Sequence, residues 1–235
     1  MTMRSRELDL QRYDTDKVPH GYLDIYDPVL RPFLEREITL LELGVAKGGS
    51  LLLWRDYFPR GTIVGIDMAD PPAWAEREER IRVFQGYQHD PGFLSSVARQ
   101  TAPDGFDIVI DDASHLAVLT RLGFWHLFDH HLKPGGLYVI EDWGTGYWDD
   151  WPDGQRYRPR SRIRSVLLAQ LHRWGLARPV GADTHTSGMV GFVKELVDEQ
   201  GAADLTRARL TGTPARPSKF QSLLIAPSLV FVTKR

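Results

Sequence analysis

The feature that most constrains the fold of this chain is an alternation of short apolar runs with longer segments of mixed polarity. The apolar runs are rich in β-branched residues and end in acids or glycines. They are Ile38–Val45, Thr62–Met68, Ile81–Tyr87, Phe106–Asp112 and Leu137–Asp142. Because they are continuously apolar and do not alternate strictly with polar residues, they predict strands covered on both faces, as in a parallel sheet.

The segments between these runs have the composition of helices. They are Ser50–Tyr57, Trp74–Arg80, Pro91–Gln100 and Leu116–His131. The last of them leads into Lys133-Pro134-Gly135-Gly136, which is typical of a helix stop and a turn into the next strand. Strands that alternate with helices predict an α/β fold with a Rossmann-like, doubly wound sheet.

The C-terminal part of the chain adds strands of a different kind. Met189–Gln200 has the pattern of a helix, and Phe220–Ile225 and Ser228–Lys234 have the pattern of two strands close together. A connection this short implies that at least one of these strands runs antiparallel to its neighbours. We therefore expect a seven-stranded sheet that is mostly parallel, with an antiparallel C-terminal strand.

One domain is expected over residues 1–235, since α/β domains of this length are common. Residues 1–37 are predicted to form an N-terminal cap, with a helix over Leu23–Glu35. Residues 144–185 are predicted to form an irregular insertion, because they are rich in Trp, Asp, Arg and Pro.

Composition excludes several classes of function. Lys and Arg number 29 against 31 Asp and Glu, and this balance argues against binding to nucleic acids or membrane surfaces. The absence of cysteine excludes disulfides, thiolate metal sites and cysteine nucleophiles. No membrane span and no signal peptide are expected, because the chain lacks apolar stretches of the required kind. A cytoplasmic enzyme is the expectation, and a homo-oligomer is left open.

A glycine-rich loop follows the first predicted strand and leads into a helix. It runs from Glu42 through Gly44 to Ser50, and its spacing differs from the G-x-G-x-x-G of dinucleotide sites. Glycines there allow close backbone approach to a ligand, and the helix start offers free N–H groups. An acid followed by this loop suits a cofactor with an amino-acid tail. Glu42 is expected to pair with the ammonium group of that tail.

Polar residues also end the second and third strands. Asp67 is placed to accept hydrogen bonds from both ribose hydroxyls, and Gln88 and Asp90 are placed to reach an adenine ring. All these residues lie where open α/β sheets bind ligands. They favour S-adenosylmethionine, and the alternative is a generic nucleotide-binding domain.

Acidic residues at the ends of the fourth and fifth strands predict a metal site. Asp112, Glu141 and Asp142 are expected to converge, and three uncompensated carboxylates would repel one another strongly. Carboxylate ligands favour Mg²⁺, with Ca²⁺ or Mn²⁺ as substitutes. Such a cation would lower the pKa of an acceptor hydroxyl. Each acid also has a plainer interpretation as a helix N-cap.

His115 lies three residues after Asp112 and is predicted to be the general base, since imidazole titrates near neutral pH. A structural histidine is the alternative. Asp111, which precedes the metal-ligand candidate Asp112, is predicted to bind the cofactor. Asp111 or Ser114 is also a candidate cap for the helix that starts near Leu116.

The chain resembles the metal-dependent class I sugar O-methyltransferases, such as those that act on mycinamicin and on rhamnosyl-tetracenomycin. The resemblance covers most of the chain, and its DDxSH and VIED motifs are the more specific ones. The segments that carry it are Thr15-Asp16-Lys17, His20-Gly21-Tyr22, ITLLELGV with the following GGS, Trp54 through Tyr57-Phe58-Pro59, FDIVIDDASH, LKPGGLYVIED with Tyr147-Trp148, and Gly191–Lys194 before Leu196–Asp198.

The resemblance implies a seven-stranded fold, Mg²⁺ held by the three acids, and His115 as the base. It also implies that the N-terminal segment closes over the cofactor and acceptor, which makes Tyr22 a cofactor-binding residue and Asp16 and His20 substrate-binding residues. The chain is similar as well to the smaller mycobacterial methyltransferases of methylmannose polysaccharide assembly, and its length favours that branch. Where the family has Gly-Asp-Gln, this chain has Gly86-Tyr87-Gln88, so the adenine contacts differ.

The insertion bears on the acceptor. Tyr147 and Trp148, followed by acids, are typical of sugar recognition, because aromatic faces stack on the C–H surfaces of sugars. A surface loop anchored by tryptophan packing is the alternative. The arginine cluster Arg156–Arg164 is expected to be solvated or paired with nearby acids rather than to bind an anion. His185 is placed to reach the acceptor by position alone.

The leading expectation is thus Mg²⁺- and S-adenosylmethionine-dependent methylation of a hydroxyl on a small-molecule or oligosaccharide acceptor. Catechol-type O-methylation is one alternative, although those enzymes usually place Lys where this chain has His115. A non-catalytic module that binds the cofactor is another. Methylation of nucleic acids is disfavoured, since no Asn-Pro-Pro-Tyr-like tetrapeptide ends the fourth strand.

Overall fold

Each apolar run predicted as a strand forms one in the computed structural model, which describes residues 3–156, 170, 173–174, 185–207 and 214–235. The strands are β1 (Thr39–Leu43), β2 (Thr62–Asp67), β3 (Ile81–Gln85), β4 (Phe106–Asp111), β5 (Leu132–Glu141), β6 (Phe220–Ile225) and β7 (Leu229–Lys234). They form a seven-stranded sheet in the order β3-β2-β1-β4-β5-β7-β6. Neighbours from β3 to β5 are parallel, whereas β7 is antiparallel to β5 and to β6. The predicted fold class is confirmed.

Helices connect the strands and cover the sheet. They are α1 (Tyr22–Leu30), α2 (Gly49–Tyr57), α3 (Pro91–Thr101), α4 (Ala117–His130), α5 (Gly188–Gln200) and α6 (Ala202–Leu205). Single 3-10 turns lie at Arg4–Glu7, Leu10–Arg12, Arg31–Phe33, Ala75–Arg77, Trp143–Tyr147 and Gly154–Arg156. Within the described ranges, no helix has both the length and the apolar character that crossing a membrane requires.

Two predicted helices are wrong in extent. The helix expected over Trp74–Arg80 is a single turn at Ala75–Arg77. Only Ala75 is buried there, so the segment has no apolar stripe to pack against the sheet. The N-terminal helix ends at Leu30 rather than Glu35, because Pro32 has no N–H to donate, and the chain continues as a 3-10 turn at Arg31–Phe33.

The turn predicted at Lys133–Gly136 is also wrong, because β5 already begins at Leu132 and contains these residues. The register between β4 and β5 shifts between Phe106 and Ile108, which absorbs the extra residues as an irregularity in the ladder. Gly135 has a φ of +73° and supplies the left-handed conformation that this bend requires.

The core consists of two apolar clusters, one on each face of the sheet. Successive strand residues alternate between them, as Leu40 and Leu41 of β1 show. One cluster includes Tyr26 of α1 and Trp54 of α2, and the other includes Phe124 of α4 together with residues of α3 and α5. Burial on both faces explains why the strands have continuously apolar sequences. It also leaves the strand ends as the places where polar side chains gather.

The N-terminal segment is held to this core by Asp27, a buried carboxylate of α1. It accepts hydrogen bonds from Ser5 N at 3.2 Å, from Ser5 Oγ at 2.5 Å and from Tyr57 Oη at 2.6 Å. These bonds join the first turn of the chain to α1 and α2. The cap predicted over residues 1–37 is thus packed against the sheet rather than loosely attached.

Replacement of Asp27 by Ala is expected to lower the free energy of unfolding by about 3 kcal/mol. It leaves the Tyr57 hydroxyl and the Ser5 backbone N–H buried without an acceptor. Urea unfolding of purified protein measures the change. The control is Asp24→Ala on the exposed face of the same helix, expected to change stability by less than about 0.5 kcal/mol. Equal losses in both variants would contradict this role for Asp27.

Candidate active site

The carboxyl ends of β4 and β5 bring three of the predicted site residues together. His115 Nε2 lies 3.7 Å from Asp112 Oδ1 and 3.9 Å from Asp142 Oδ2. In the described part of the chain, these side chains form the group of acids and histidines compact enough to hold a metal ion, with ligand atoms within 4.8 Å of one another. Parallel strands end at one edge of the sheet, so residues far apart in the sequence meet there.

A buried lysine that was not predicted as a site residue lies among the acids. Lys17 Nζ is 2.6 Å from Asp112 Oδ2, 2.9 Å from Glu141 Oε1 and 3.4 Å from Glu42 Oε1. The expectation of uncompensated carboxylates is therefore wrong. Burial by itself would lower the pKa of the Lys17 ammonium, but the carboxylates of Glu141, Asp112 and Glu42 outweigh it and raise that pKa well above its usual value.

Glu141 is buried, and its two carboxylate oxygens have different surroundings. Its Oε1 accepts hydrogen bonds from Tyr26 Oη at 2.5 Å and from Lys17. Its Oε2 is buried and has no hydrogen-bond partner in the described structure. Burial raises the pKa of Glu141, and the nearby Lys17 opposes that rise. An unpartnered buried carboxylate oxygen fits a hard divalent cation, which prefers oxygen ligands. The predicted ligand Glu141 nevertheless lies outside the compact group of Asp112, His115 and Asp142.

Backbone strain is concentrated at this site. Four non-glycine residues among those described have positive φ, and three of them are Ala46 (+47°), His115 (+50°) and Asp142 (+53°). Such conformations persist where surrounding contacts hold them. The Tyr22 hydroxyl donates to Asp142 Oδ1, and Trp151 Nε1 donates to the His115 carbonyl oxygen at 3.1 Å. These bonds fix the two strained residues from opposite sides.

A polar cavity of about 380 Å³ opens beside these acids, between the N-terminal segment and the glycine loop. The predicted site residues that line it are Asp16, Gly44, Ser50, Asp67, Asp112 and His115. Two backbone close approaches shape its wall. Gly44 packs against the Asp112 carbonyl group and Gly49 against that of Asp14, so that a methyl group at either glycine would overlap the facing backbone.

Asp67 holds the glycine loop in place. Its carboxylate accepts hydrogen bonds from the backbone N–H groups of Val45 at 2.7 Å, Ala46 at 2.9 Å and Ala69 at 2.9 Å. Burial alone would raise the pKa of Asp67, but the backbone donors outweigh it and hold the pKa below its usual value. Asp67 is thus an ionised acceptor at the end of β2, on the wall of the cavity.

A second cavity, of about 270 Å³, shares Gly44, Asp67 and Ala113 with the first. Its lining is mostly apolar and includes Met68 and Tyr87, two large apolar side chains that are otherwise exposed. Gln88 lines it as well. Gln88 accepts a hydrogen bond from Ser114 N at 3.0 Å and donates to Asp111 at 3.1 Å. An apolar slot with an amide at its edge suits a flat heterocycle.

Four predicted cofactor-binding residues line neither cavity. One is Tyr22, whose hydroxyl donates a hydrogen bond to Asp142 instead. Glu42 is fully buried behind the glycine loop, where it accepts hydrogen bonds from Ser50 Oγ and Trp54 Nε1. Asp90 caps α3 by accepting from Phe93 N at 3.0 Å. Asp111 is buried and accepts from Gln88 and from Tyr138 Oη, and burial raises its pKa to about 7. Glu42 and Asp111 thus support the site from behind, whereas Asp90 is exposed and caps the start of α3.

The remaining predicted substrate residues are exposed and line neither cavity. Tyr147 and Trp148 are exposed, at 40% and 51% of their surface. His20 Nδ1 lies 3.9 Å from Asp16 Oδ2, and both side chains are exposed. His185 is buried, with Nε2 2.7 Å from the Gly146 carbonyl oxygen, so it supports the turn after β5 instead of facing the acceptor side.

Two side chains, one of them the predicted cap Ser114, accept hydrogen bonds from the backbone at the start of α4. Asp153 Oδ2 accepts a hydrogen bond from Ala117 N at 2.8 Å, and Ser114 Oγ accepts one from Leu116 N at 3.2 Å. Asp111 takes no part in the cap. Within the Arg156–Arg164 cluster, the arginines from 158 onward lie outside the described residues, and the cluster's role stays a prediction.

Fold and site together define a class of protein. A seven-stranded sheet with the last strand reversed, a glycine loop after β1 and acids at the ends of β1, β2, β4 and β5 are the arrangement of class I methyltransferases. Comparison with known proteins makes this more specific, although no family model matches the chain.

Two curated relatives are sugar methyltransferases. The chain is 43% identical over 157 residues to mycinamicin VI 2''-O-methyltransferase of Micromonospora griseorubida, which covers 61% of this chain and 38% of the relative. It is 36% identical, over 95% of this chain and 53% of the relative, to 8-demethyl-8-alpha-L-rhamnosyl tetracenomycin-C 2'-O-methyltransferase of Streptomyces olivaceus. The chain therefore spans about half the length, or less, of these relatives.

A solved structure agrees with them. MycE methyltransferase from the mycinamycin biosynthetic pathway, in complex with Mg, SAH and mycinamycin VI, matches 97% of this chain and 55% of its own. The TM-score is 0.70 and the sequence identity 31%. The predicted resemblance is confirmed, and the chain is homologous to the sugar O-methyltransferases of natural-product biosynthesis.

Gly49→Ala is expected to destabilise the protein by about 2 kcal/mol and to loosen residues 14–17. Alanine normally stabilises a helix start relative to glycine, but here its methyl group would overlap the Asp14 backbone. Urea unfolding and hydrogen exchange of the N-terminal segment measure the effect. The control is Gly92→Ala in α3, where the added methyl group makes only an ordinary contact. If both variants gained stability, the close packing of this segment would be refuted.

Proposed function

We propose that the chain is an S-adenosylmethionine- and Mg²⁺-dependent O-methyltransferase that acts on a sugar hydroxyl of a saccharide or glycosylated natural product. The observation that carries the proposal is the convergence of Asp112, Asp142 and His115 beside the polar cavity at the strand ends. Homology to sugar O-methyltransferases supports the substrate class. The chain spans about half of those relatives or less, and the proposed activity is that of this fold and its site.

Asp112, Glu141 and Asp142 are the proposed metal ligands, through the oxygens that Lys17, Tyr26 and Tyr22 leave free. His115 lies in the compact group with Asp112 and Asp142, and Glu141 does not. The buried Glu141 Oε2, which has no hydrogen-bond partner in the described structure, supports Glu141 as the third ligand. When bound, the metal would lower the pKa of an acceptor hydroxyl, and the cofactor would supply an activated methyl group. The protein's own contribution is to hold these groups in line.

His115 is proposed to take the proton of the acceptor hydroxyl at Nε2, the atom that faces Asp112 and Asp142. The hydrogen bond from Trp151 to its carbonyl oxygen keeps its backbone in the strained conformation that points the ring inward.

Different parts of the cofactor are proposed to bind in the two cavities. The polar cavity would hold the amino-acid end, with Ser50 and the N–H groups of the glycine loop on its wall, and Asp67 between the cavities would accept from ribose hydroxyls. The apolar cavity with Gln88 would take the adenine ring. Exposed Tyr147 and Trp148 would stack on the acceptor sugar. The methylmannose and polysaccharide branch, and the cytoplasmic location, stay predictions.

The proposed activity is tested by a screen with methyl-labelled S-adenosylmethionine and Mg²⁺. The acceptors are mannosides, rhamnosides, partly methylated sugars and a catechol. Label is expected on a sugar hydroxyl, with loss in excess chelator and recovery on adding Mg²⁺. Label on the catechol alone would favour the alternative enzyme. Full activity in chelator would refute the metal requirement, and cofactor binding without any transfer would favour a non-catalytic module.

His115→Ala is expected to lower kcat by about a hundredfold or more, because general-base catalysis contributes at least that much. The affinity for Mn²⁺ should change by less than about threefold if His115 is a base rather than a ligand. Single-turnover kinetics and Mn²⁺ titration measure the two effects. His126→Ala, a partly buried histidine on α4, is the control. A large loss of Mn²⁺ affinity in His115→Ala would make His115 a metal ligand instead.

A further inference from the structure

A fully buried lysine needs an explanation, because lysines are almost never buried unless they are paired. Lys17 comes from the N-terminal segment, yet its ammonium contacts carboxylates at the ends of three different strands. Glu42 belongs to β1, Asp112 follows β4, and Glu141 ends β5. Lys17 lines neither cavity, so it does not contact a ligand held there.

Lys17 contacts one carboxylate oxygen of each of two proposed metal ligands. It binds Asp112 Oδ2 and Glu141 Oε1. The other oxygens are left over, with Asp112 Oδ1 facing His115 and Glu141 Oε2 without a partner. The lysine therefore holds each carboxylate by one oxygen and leaves the second one for another cation.

We propose that Lys17 is a built-in counter-ion that assembles the acidic site before any metal binds. Without it, several carboxylates would be buried together and uncompensated, which is strongly destabilising. With it, the protein folds without metal, and a bound metal adds less stability than it would to the same site without the lysine. The same positive charge repels an incoming cation, so Lys17 also weakens metal binding. The inference rests on the proposed function only in that a divalent cation binds at this site.

The test is thermal unfolding of wild type, Lys17→Met and Lys133→Met, each in chelator and in saturating Mn²⁺. Methionine is of similar length to lysine and carries no charge. Lys133 Nζ lies 2.8 Å from Oδ2 of the buried Asp107, at the opposite edge of the sheet, and makes a matched control.

In chelator, Lys17→Met is expected to lower the Tm by about 10 °C, as breaking a buried ion pair does in a domain of this size. Mn²⁺ should recover at least half of that loss, because the bare carboxylates bind it about tenfold more tightly than wild type does. At the same Mn²⁺ concentration, wild type and Lys133→Met should gain about 4 °C less than Lys17→Met, and they should gain equally. Equal gains in wild type and Lys17→Met would overturn the proposal.

A double variant, Lys17→Met with Glu141→Gln, covers the case in which Lys17→Met does not fold. It removes one negative charge together with the positive one, so it should unfold at a higher temperature than Lys17→Met, or fold where that variant fails. If the double variant is no better, Lys17 acts only through packing and the proposal is wrong.

Direct Mn²⁺ binding, followed by the electron paramagnetic resonance signal of the free ion, separates this inference from the proposed function. A wild type that binds Mn²⁺, with equal thermal gains in both proteins, refutes the role of Lys17 alone. A wild type that binds no Mn²⁺ refutes the metal part of the proposed function. In that case the chelator measurements and the double variant still decide whether Lys17 is the counter-ion.

Discussion

The ion-pair network around Lys17 is the interaction on which the rest of the site depends. Parallel strands place the carboxylates of Glu42, Asp112 and Glu141 at one edge of the sheet, where their mutual repulsion would oppose folding. One buried ammonium between them offsets this repulsion, and the Tyr26 hydroxyl donates a further hydrogen bond to Glu141. The acids can therefore be held rigidly in the protein itself, which is what a preorganised site requires.

This network explains why the N-terminal cap is part of the site and not an appendage. Lys17 reaches the strand ends from a segment that also supplies Asp14 and Asp16 to the cavity wall. Tyr22, at the start of α1, donates to Asp142, and Tyr26, one turn later, donates to Glu141. Residues on one face of a helix lie three or four positions apart, so one short helix orients both acids.

Much of the fold and part of the site could be predicted from the sequence, because strand periodicity and strand-end chemistry are local signals. The convergence of Asp112, Asp142 and His115 follows from strand order alone. The burial of Lys17 does not, since its hydrogen-bond partner Asp112 is 95 residues away and nothing nearby in the sequence marks this lysine. Asp90 shows the opposite case, because the Pro91 that follows it already indicated a helix cap.

The same long-range logic separates the acids that face the cavity from those behind it. Glu42 and Asp111 end strands in the middle of the sheet, and both are fully enclosed by neighbouring strands and helices. Asp67 and Asp112, one on each side of the point where the strand order reverses, reach the cavity. An acid at a strand end is thus a ligand or a support depending on what packs over it. Only the three-dimensional fold decides between these two roles. Here it places Glu42 as a support for Lys17 and for Ser50 of the glycine loop.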